Sequence, residues 1–416
     1  MKYFRALAPV VPILMSACAK PDPTIFNFVA RNLAADGRAY GVAVGPGGDV
    51  YQAGSFVAGR YLSGGPINGS LWLGRWSPDL RLLNARSIDG LFPGQDAAYG
   101  VAVDPAGNVY AVGFVAVLSG GEAPWVGKFD RNLNPLGSFT GSPAVEGRRK
   151  YSQTIAVGSE ENIFLGGWIG HRPSEANEVL GENVAHYGRG QIPWLAKMSP
   201  ALVPLKEIFR DDVGSGLQRV CALAPDPAGG VYAAGAVSSR STSGEKRWWV
   251  AHYDRNLALL AEYASPAGGD FEARGAVLAG DGSLWIAGCE GQHGFVAHFS
   301  ADLKPLSQRT FEPKPLRWAP VVRPLGLALA PKGLWLSGYL TEMDRNRDDE
   351  PQSAFLAQIP LEEGSPLSLD YVRSGGDRTF GWGVATDKDG NAYVSGTFHR
   401  ERHRFDPFLG RAPARR

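Results

Sequence analysis

Short runs of mostly apolar residues, rich in Val, Ala, Tyr and Leu, recur along the chain between clusters of Gly, Pro, Asp and Asn. Helix-period spacing is modest, so the pattern predicts strands joined by tight turns. The clearest pair is Gly100-Val-Ala-Val-Asp104 and Val109-Tyr-Ala-Val-Gly113, joined through Asp104-Pro-Ala-Gly-Asn108. Pro105 presets φ for an early turn position and Gly107 permits the positive φ of a tight reversal, so the two runs are expected to form a hairpin.

This hairpin phrase comes round seven times, centred on Gly54, Gly113, Gly167, Gly235, Gly288, Gly338 and Gly396, at intervals of 50 to 68 residues. A second phrase follows each copy, as in Trp72-Leu-Gly-Arg-Trp76, Trp125-Val-Gly-Lys-Phe129 and Phe355-Leu-Ala-Gln-Ile359. It reads as a third strand, opened by a large aromatic that supplies buried area and centred on a small residue that lets sheets approach. Turns such as Ser77-Pro-Asp-Leu80 and Asp130-Arg-Asn-Leu-Asn134 then lead to a fourth strand, for example Pro135-Leu-Gly-Ser-Phe-Thr140. A repeat of this length with four short strands makes one propeller blade.

Six repeats are complete, whereas the seventh ends soon after Phe408-Leu-Gly-Arg411 with no fourth strand. An unpaired strand precedes the first hairpin, in Thr24-Ile-Phe-Asn-Phe-Val29. The expected fold is therefore all-β: a seven-bladed β-propeller of four-stranded antiparallel blades, its ring closed by the N-terminal strand completing the last blade. The tandem phrases, as in Trp382-Gly-Val-Ala-Thr-Asp-Lys-Asp-Gly-Asn-Ala-Tyr-Val-Ser-Gly396, resemble the bacterial seven-bladed β-propeller repeat family over nearly the whole chain from about residue 24. The likeness is strong in repeats one, two and seven and degenerate in three, five and six. NHL-repeat propellers share the Gly-Val-Ala-Val-Asp core but usually carry Asp where this chain has Gly113. The resemblance implies a fold and no single activity.

Composition agrees with a turn-rich ring: 416 residues, 54 of them Gly, 44% hydrophobic and 20% charged. A net charge of +1 argues against a general nucleic-acid binder. The first residues differ from the rest. Lys2 and Arg5 precede an apolar stretch from Ala6 to Met15, which ends in Ser16-Ala17-Cys18. This resembles a bacterial lipoprotein signal, in which Cys18 becomes the lipidated first residue; Met15 stands where Leu is usual. Residues 1–17 then form the signal peptide, 18–23 a short anchor linker, and 24–416 one propeller domain. Cleavage after Ala19, leaving a soluble secreted protein, is the alternative. Both readings export the chain, the first as a membrane-anchored lipoprotein facing the periplasm or cell surface. Cys221 and Cys289 would then lie in an oxidising compartment, with a disulfide between them left open.

Links after the second strands vary widely in length, as in 57–70, 170–193, 238–247 and 341–353, and alternation places them on one face together with the links between blades. That face is the expected binding face. The residue before the glycine of each first strand lies near the channel mouth there: Tyr40, Tyr99, Gln153, Cys221, Arg274, Leu325 and Trp382. Tyr40, Tyr99, Trp382, Gln153 and Arg274 are candidate ligand contacts, able to stack on a sugar ring or grip a small polar ligand, and their rival role is packing between blades. His293, in the short link of blade five, is a further candidate. A second, basic ring of Arg75, Lys128, Lys197, His252, His298, Gln358 and Arg411 is read as structural, each stem lying over apolar surface and pairing with a neighbour.

Enzyme chemistry has little support. Histidines show no metal-ligand spacing, and His171, Glu175, Glu178, Glu182 and His186 share a long polar loop that fixes none of them. The segment from Asp344 to Glu350 has the oxygen-rich start of a calcium loop without its Gly at position six or Glu at position twelve. No metal or cofactor is therefore assigned. The expected function is a non-enzymatic binding or assembly platform at the cell envelope, a monomer whose partner is an envelope protein or a glycan, touching the membrane through its anchor alone. The rival is a propeller lyase or hydrolase with its active site at the channel mouth, using His293, Arg274, Tyr40 and Tyr99.

Overall fold

A computed structural model describes residues 27–30, 36–57, 69–90, 94, 96–118, 121–142, 144–145, 148–170, 191–210, 218–238, 246–266, 269–311, 321–341, 352–361, 368–372, 378–400 and 404–414. Among them the chain forms seven antiparallel sheets arranged as the blades of a ring, without helices. Blade one runs through Asp36–Val44, Val50–Val57, Gly69–Trp76 and Leu82–Ile88, each strand beside the next in sequence. The same simple order repeats in the following blades, with one addition: in blade three the pair Ala144–Val145 lies antiparallel along the start of the first strand, Arg148–Val157. Blade seven contains Arg378–Thr386, Ala392–Arg400 and Arg404–Ala412, and Asn27–Ala30 lies antiparallel along the last of these, with Asn27 opposite Arg411 and Ala30 opposite Phe408.

First strands of successive blades adjoin one another around the centre, so they line the channel, and the remaining strands step outward. Blade seven packs on blade one. There Gln52 Nε2 donates to Ser395 Oγ at 3.0 Å and to the Phe408 carbonyl at 2.7 Å, and Tyr393 Oη donates to the Pro78 carbonyl at 3.4 Å. The aromatics that open the third strands, Trp72, Trp125, Trp194, Trp249, Phe295, Phe355 and Phe408, are all buried. They fill the spaces between adjacent sheets, where apolar area leaves water.

Turns from third to fourth strands share an unusual device. Leu80, Leu133, Leu202, Leu257 and Leu303 have φ between 55° and 65°, a left-handed conformation rare for a branched side chain. All five are buried. Their strain is offset locally, because Asp130 Oδ1 accepts from the amides of Asn132 and Asn134 at 2.8 Å, and Asp254 Oδ1 accepts from those of Asn256 and Ala258 at 2.8 and 2.7 Å.

Five members of the basic ring, Arg75, Lys128, Lys197, His252 and His298, make the packing and pairing contacts read from its recurrence. Lys128 Nζ lies over the Tyr110 ring and donates to the Pro200 carbonyl of the next blade at 3.0 Å. Lys197 does the same with Phe164 and the Arg255 carbonyl at 2.8 Å. His252 stacks on Tyr232 with its Nε2 2.8 Å from Asp226, His298 stacks on Trp285, and Arg75 pairs with Asp49 at 2.6 Å.

Candidate functional site

In every blade the register between first and second strands slips by one residue at the same place, a β-bulge. In blade two Ala98 pairs with Gly113 and Gly100 with Val112, which leaves Tyr99 unpaired. The residues skipped in the other six are Tyr40, Gln153, Cys221, Arg274, Leu325 and Trp382. These are the seven equivalent repeat positions that the sequence pattern predicts near the channel mouth. The repeat's central glycines leave room for the backbone at the bulge. A Cβ on Gly113 would intrude far inside 3.0 Å of the Ala97 carbonyl, and one on Gly54, Gly167, Gly235, Gly288, Gly338 or Gly396 would meet the equivalent carbonyl of its own blade. The glycines after the bulge let neighbouring blades close up: a Cβ on Gly41 would stand 2.9 Å from the Tyr99 carbonyl, and one on Gly383 2.9 Å from that of Tyr40.

Three bulge residues form an aromatic arc across blades seven, one and two. Tyr40 lies between the others, its ring centroid 4.9 Å from Tyr99 and 5.7 Å from Trp382. Phe114 and Phe380 back the ends of the arc, at 5.7 Å from Tyr99 and 5.4 Å from Trp382. The aromatics thus do pack between blades, yet Tyr40, Tyr99 and Trp382 each stay partly exposed. Gln153, Arg274 and Leu325 are also partly exposed, and Cys221 is buried. The Trp382 Nε1 donor and the Gln153 Oε1 acceptor are buried atoms without a hydrogen-bond partner among the described residues.

Blades four to six carry a charged network that the sequence reading missed. Glu272, on the first strand of blade five, accepts from Arg219 Nε and Nη2 of blade four, the latter at 2.8 Å, and from Arg274 Nε at 2.7 Å. Cys221 Sγ donates to it at 3.2 Å. Burial opposes ionisation of Glu272, but the guanidiniums of Arg219 and Arg274 outweigh it and hold the carboxyl well below the usual range. Arg323 Nη2 of blade six lies 2.8 Å from Asp270, which Lys246 also approaches at 3.1 Å. The available signal was the charge at the residue two before the bulge in three consecutive repeats, Arg219, Glu272 and Arg323.

Cys221 and Cys289 are both free and buried. Cys289 is the cross-strand partner of Glu272, and burial pushes its thiol up to about 11 and that of Cys221 up to about 12. His293 is exposed at the start of a third strand, opposite Glu290, and so stands two strands outward from the bulge ring. The long second-strand links, including 171–190 with His171 and His186, and the segment 342–351, lie outside the described residues, as do 1–26 with Cys18.

No protein-family model matches the chain. No curated protein matches it. Among solved structures, a protein of unknown function from Dyadobacter fermentans is similar at 12% identity, covering 94% of this chain and 100% of that one, with a TM-score of 0.49. A luciferin-regenerating enzyme is similar at 13% identity, covering 78% of this chain and 90% of that one, with a TM-score of 0.39.

Proposed function

We propose that this protein is an exported, lipid-anchored β-propeller of the bacterial cell envelope that binds its target rather than transforming it, through the ring of bulge residues at the channel mouth. The supporting observation is the bulge itself. The same backbone device, with the same glycine opposite it, carries seven side chains of which three are aromatic, one cationic, one an amide, one a thiol and one aliphatic. Packing alone would be served by repeating one residue, whereas recognition needs different ones at defined places on a rigid scaffold. The ionisable neighbours argue for binding too: Cys221 is pushed up to about 12 and Glu272 is held ionised by two guanidiniums, so neither suits general acid–base work near neutrality.

The address rests on the sequence around Cys18. Membrane fractionation of the bacterial host tests it: the wild-type chain is expected in the membrane fraction and the Cys18→Ser variant unprocessed or displaced from it. Unchanged processing and fractionation of that variant would overturn the lipid anchor.

A further inference from the structure

Ring order gives the channel mouth two unlike sides. In a seven-membered ring, blade five is three steps from blade one and three from blade two, so Arg274 stands across the channel from the Tyr40 and Tyr99 pair. Resting on the reading of this mouth as a binding site, we propose that it takes a carboxylate-bearing pyranose, a uronic acid unit, with the sugar face on the aromatic arc and the carboxylate toward Arg274.

Three observations select that chemistry. Rings that touch across three blades offer a continuous apolar surface, which suits the C–H face of a pyranose. On the opposite side, the ion pairs among the described residues set Arg219, Arg274, Arg323 and Lys246 against Glu272 and Asp270, four cations to two carboxylates. Glu272 engages Arg274 through Nε, and this leaves the paired Nη groups of a partly exposed side chain for a bidentate carboxylate. Finally, among the seven bulge residues the buried atoms without a hydrogen-bond partner in the described residues are one donor, Trp382 Nε1, and one acceptor, Gln153 Oε1. Sugar hydroxyls both donate and accept, so a polyhydroxylated ring can satisfy both, whereas a simple aromatic acid lacks the hydroxyls to do so.

Ligand-observed NMR titration of the full-length protein with sodium glucuronate, glucose and benzoate tests the proposal. Glucuronate is expected to bind at least about tenfold more tightly than either of the others, since a bidentate charged pair is lost with glucose and the hydroxyl contacts with benzoate. Arg274→Met should bring glucuronate down to the level of glucose while leaving glucose unchanged, and Trp382→Leu should weaken both sugars. Arg219 still neutralises Glu272 in Arg274→Met, so that variant is expected to fold, which circular dichroism checks. Equal binding of glucose and glucuronate would overturn the acidic-sugar assignment and leave a binding mouth. Preference for benzoate would overturn the sugar. Failure of all three to bind would overturn both this proposal and the binding reading of the mouth.

Discussion

The carbonyl oxygen of Ala97 occupies the place where a side chain on Gly113 would begin. That close approach accompanies the bulge of the first strand of blade two at Tyr99 and is repeated by a glycine and a carbonyl in each of the other blades. Structure and candidate site are joined here, because the glycine that looks like a folding signature also lies opposite the bulge at which the variable residue sits.

Gly113→Ala should therefore destabilise the protein by about 1–3 kcal/mol or more, as an overpacked position with backbone rather than a flexible side chain in the way. Gly137 provides the contrast: nothing lies within 4 Å of a Cβ placed there, and Gly137→Ala should change stability by less than about 1 kcal/mol. Denaturant midpoints of the two variants check this. Equal midpoints would contradict the role given to the repeat glycine.

Leu133 is buried with φ at 64°. Leu133→Ala removes buried methyls and keeps the left-handed strain, costing about 2–5 kcal/mol. Leu133→Gly removes one carbon more but releases a strain of about 1–2 kcal/mol. The two variants should unfold at similar denaturant concentrations, unlike an ordinary core position, where glycine is the worse replacement.

Glu272 joins blades four and five through Arg219 and Arg274. Glu272→Gln removes the carboxylate charge that the buried Arg219 and the partly exposed Arg274 share, and an unfolding cost of about 3–5 kcal/mol is expected. Because the folded carboxyl is held below its ordinary value of 4.5, its contribution is present above that pH and is lost as pH falls toward the folded value. The gap between wild type and Glu272→Gln should accordingly narrow in acid, as measured by urea unfolding across the pH range.

Asp96 titrates in the opposite sense. It is buried and accepts from the amides of Gly90 at 2.6 Å and Ala116 at 2.7 Å, a clasp between the link from blade one and the second strand of blade two. Burial raises its carboxyl from 3.8 to about 6 despite these donors, and Asp89 adds to the rise. A raised folded value means the protonated form is favoured in the fold, so the contribution of Asp96 to stability is greatest below 3.8 and is lost as pH rises through about 6. Asp96→Asn cannot ionise. Wild type should lose stability relative to this variant between about pH 4 and pH 7, and parallel curves would refute the assignment.

The chain order of hairpins, the count of seven and the four-stranded blade were legible because each blade is a local unit whose turns and apolar runs are contiguous in sequence. The short strand Ala144–Val145 was not read, since two residues carry no periodicity. At the site, Tyr40, Tyr99, Gln153, Arg274 and Trp382 could be picked out as one repeat position from alignment alone. That they are bulge residues could not, because a bulge is a mismatch between two strands and neither strand records it. The network around Glu272 was hidden for a related reason: Arg219 is 53 residues away, and only the stacking of one blade on the next brings the two together. Sequence by itself determined what each blade is. Tertiary structure decided which side chains of different blades meet, because contacts across the ring depend on the register and approach of sheets that are separate in the chain.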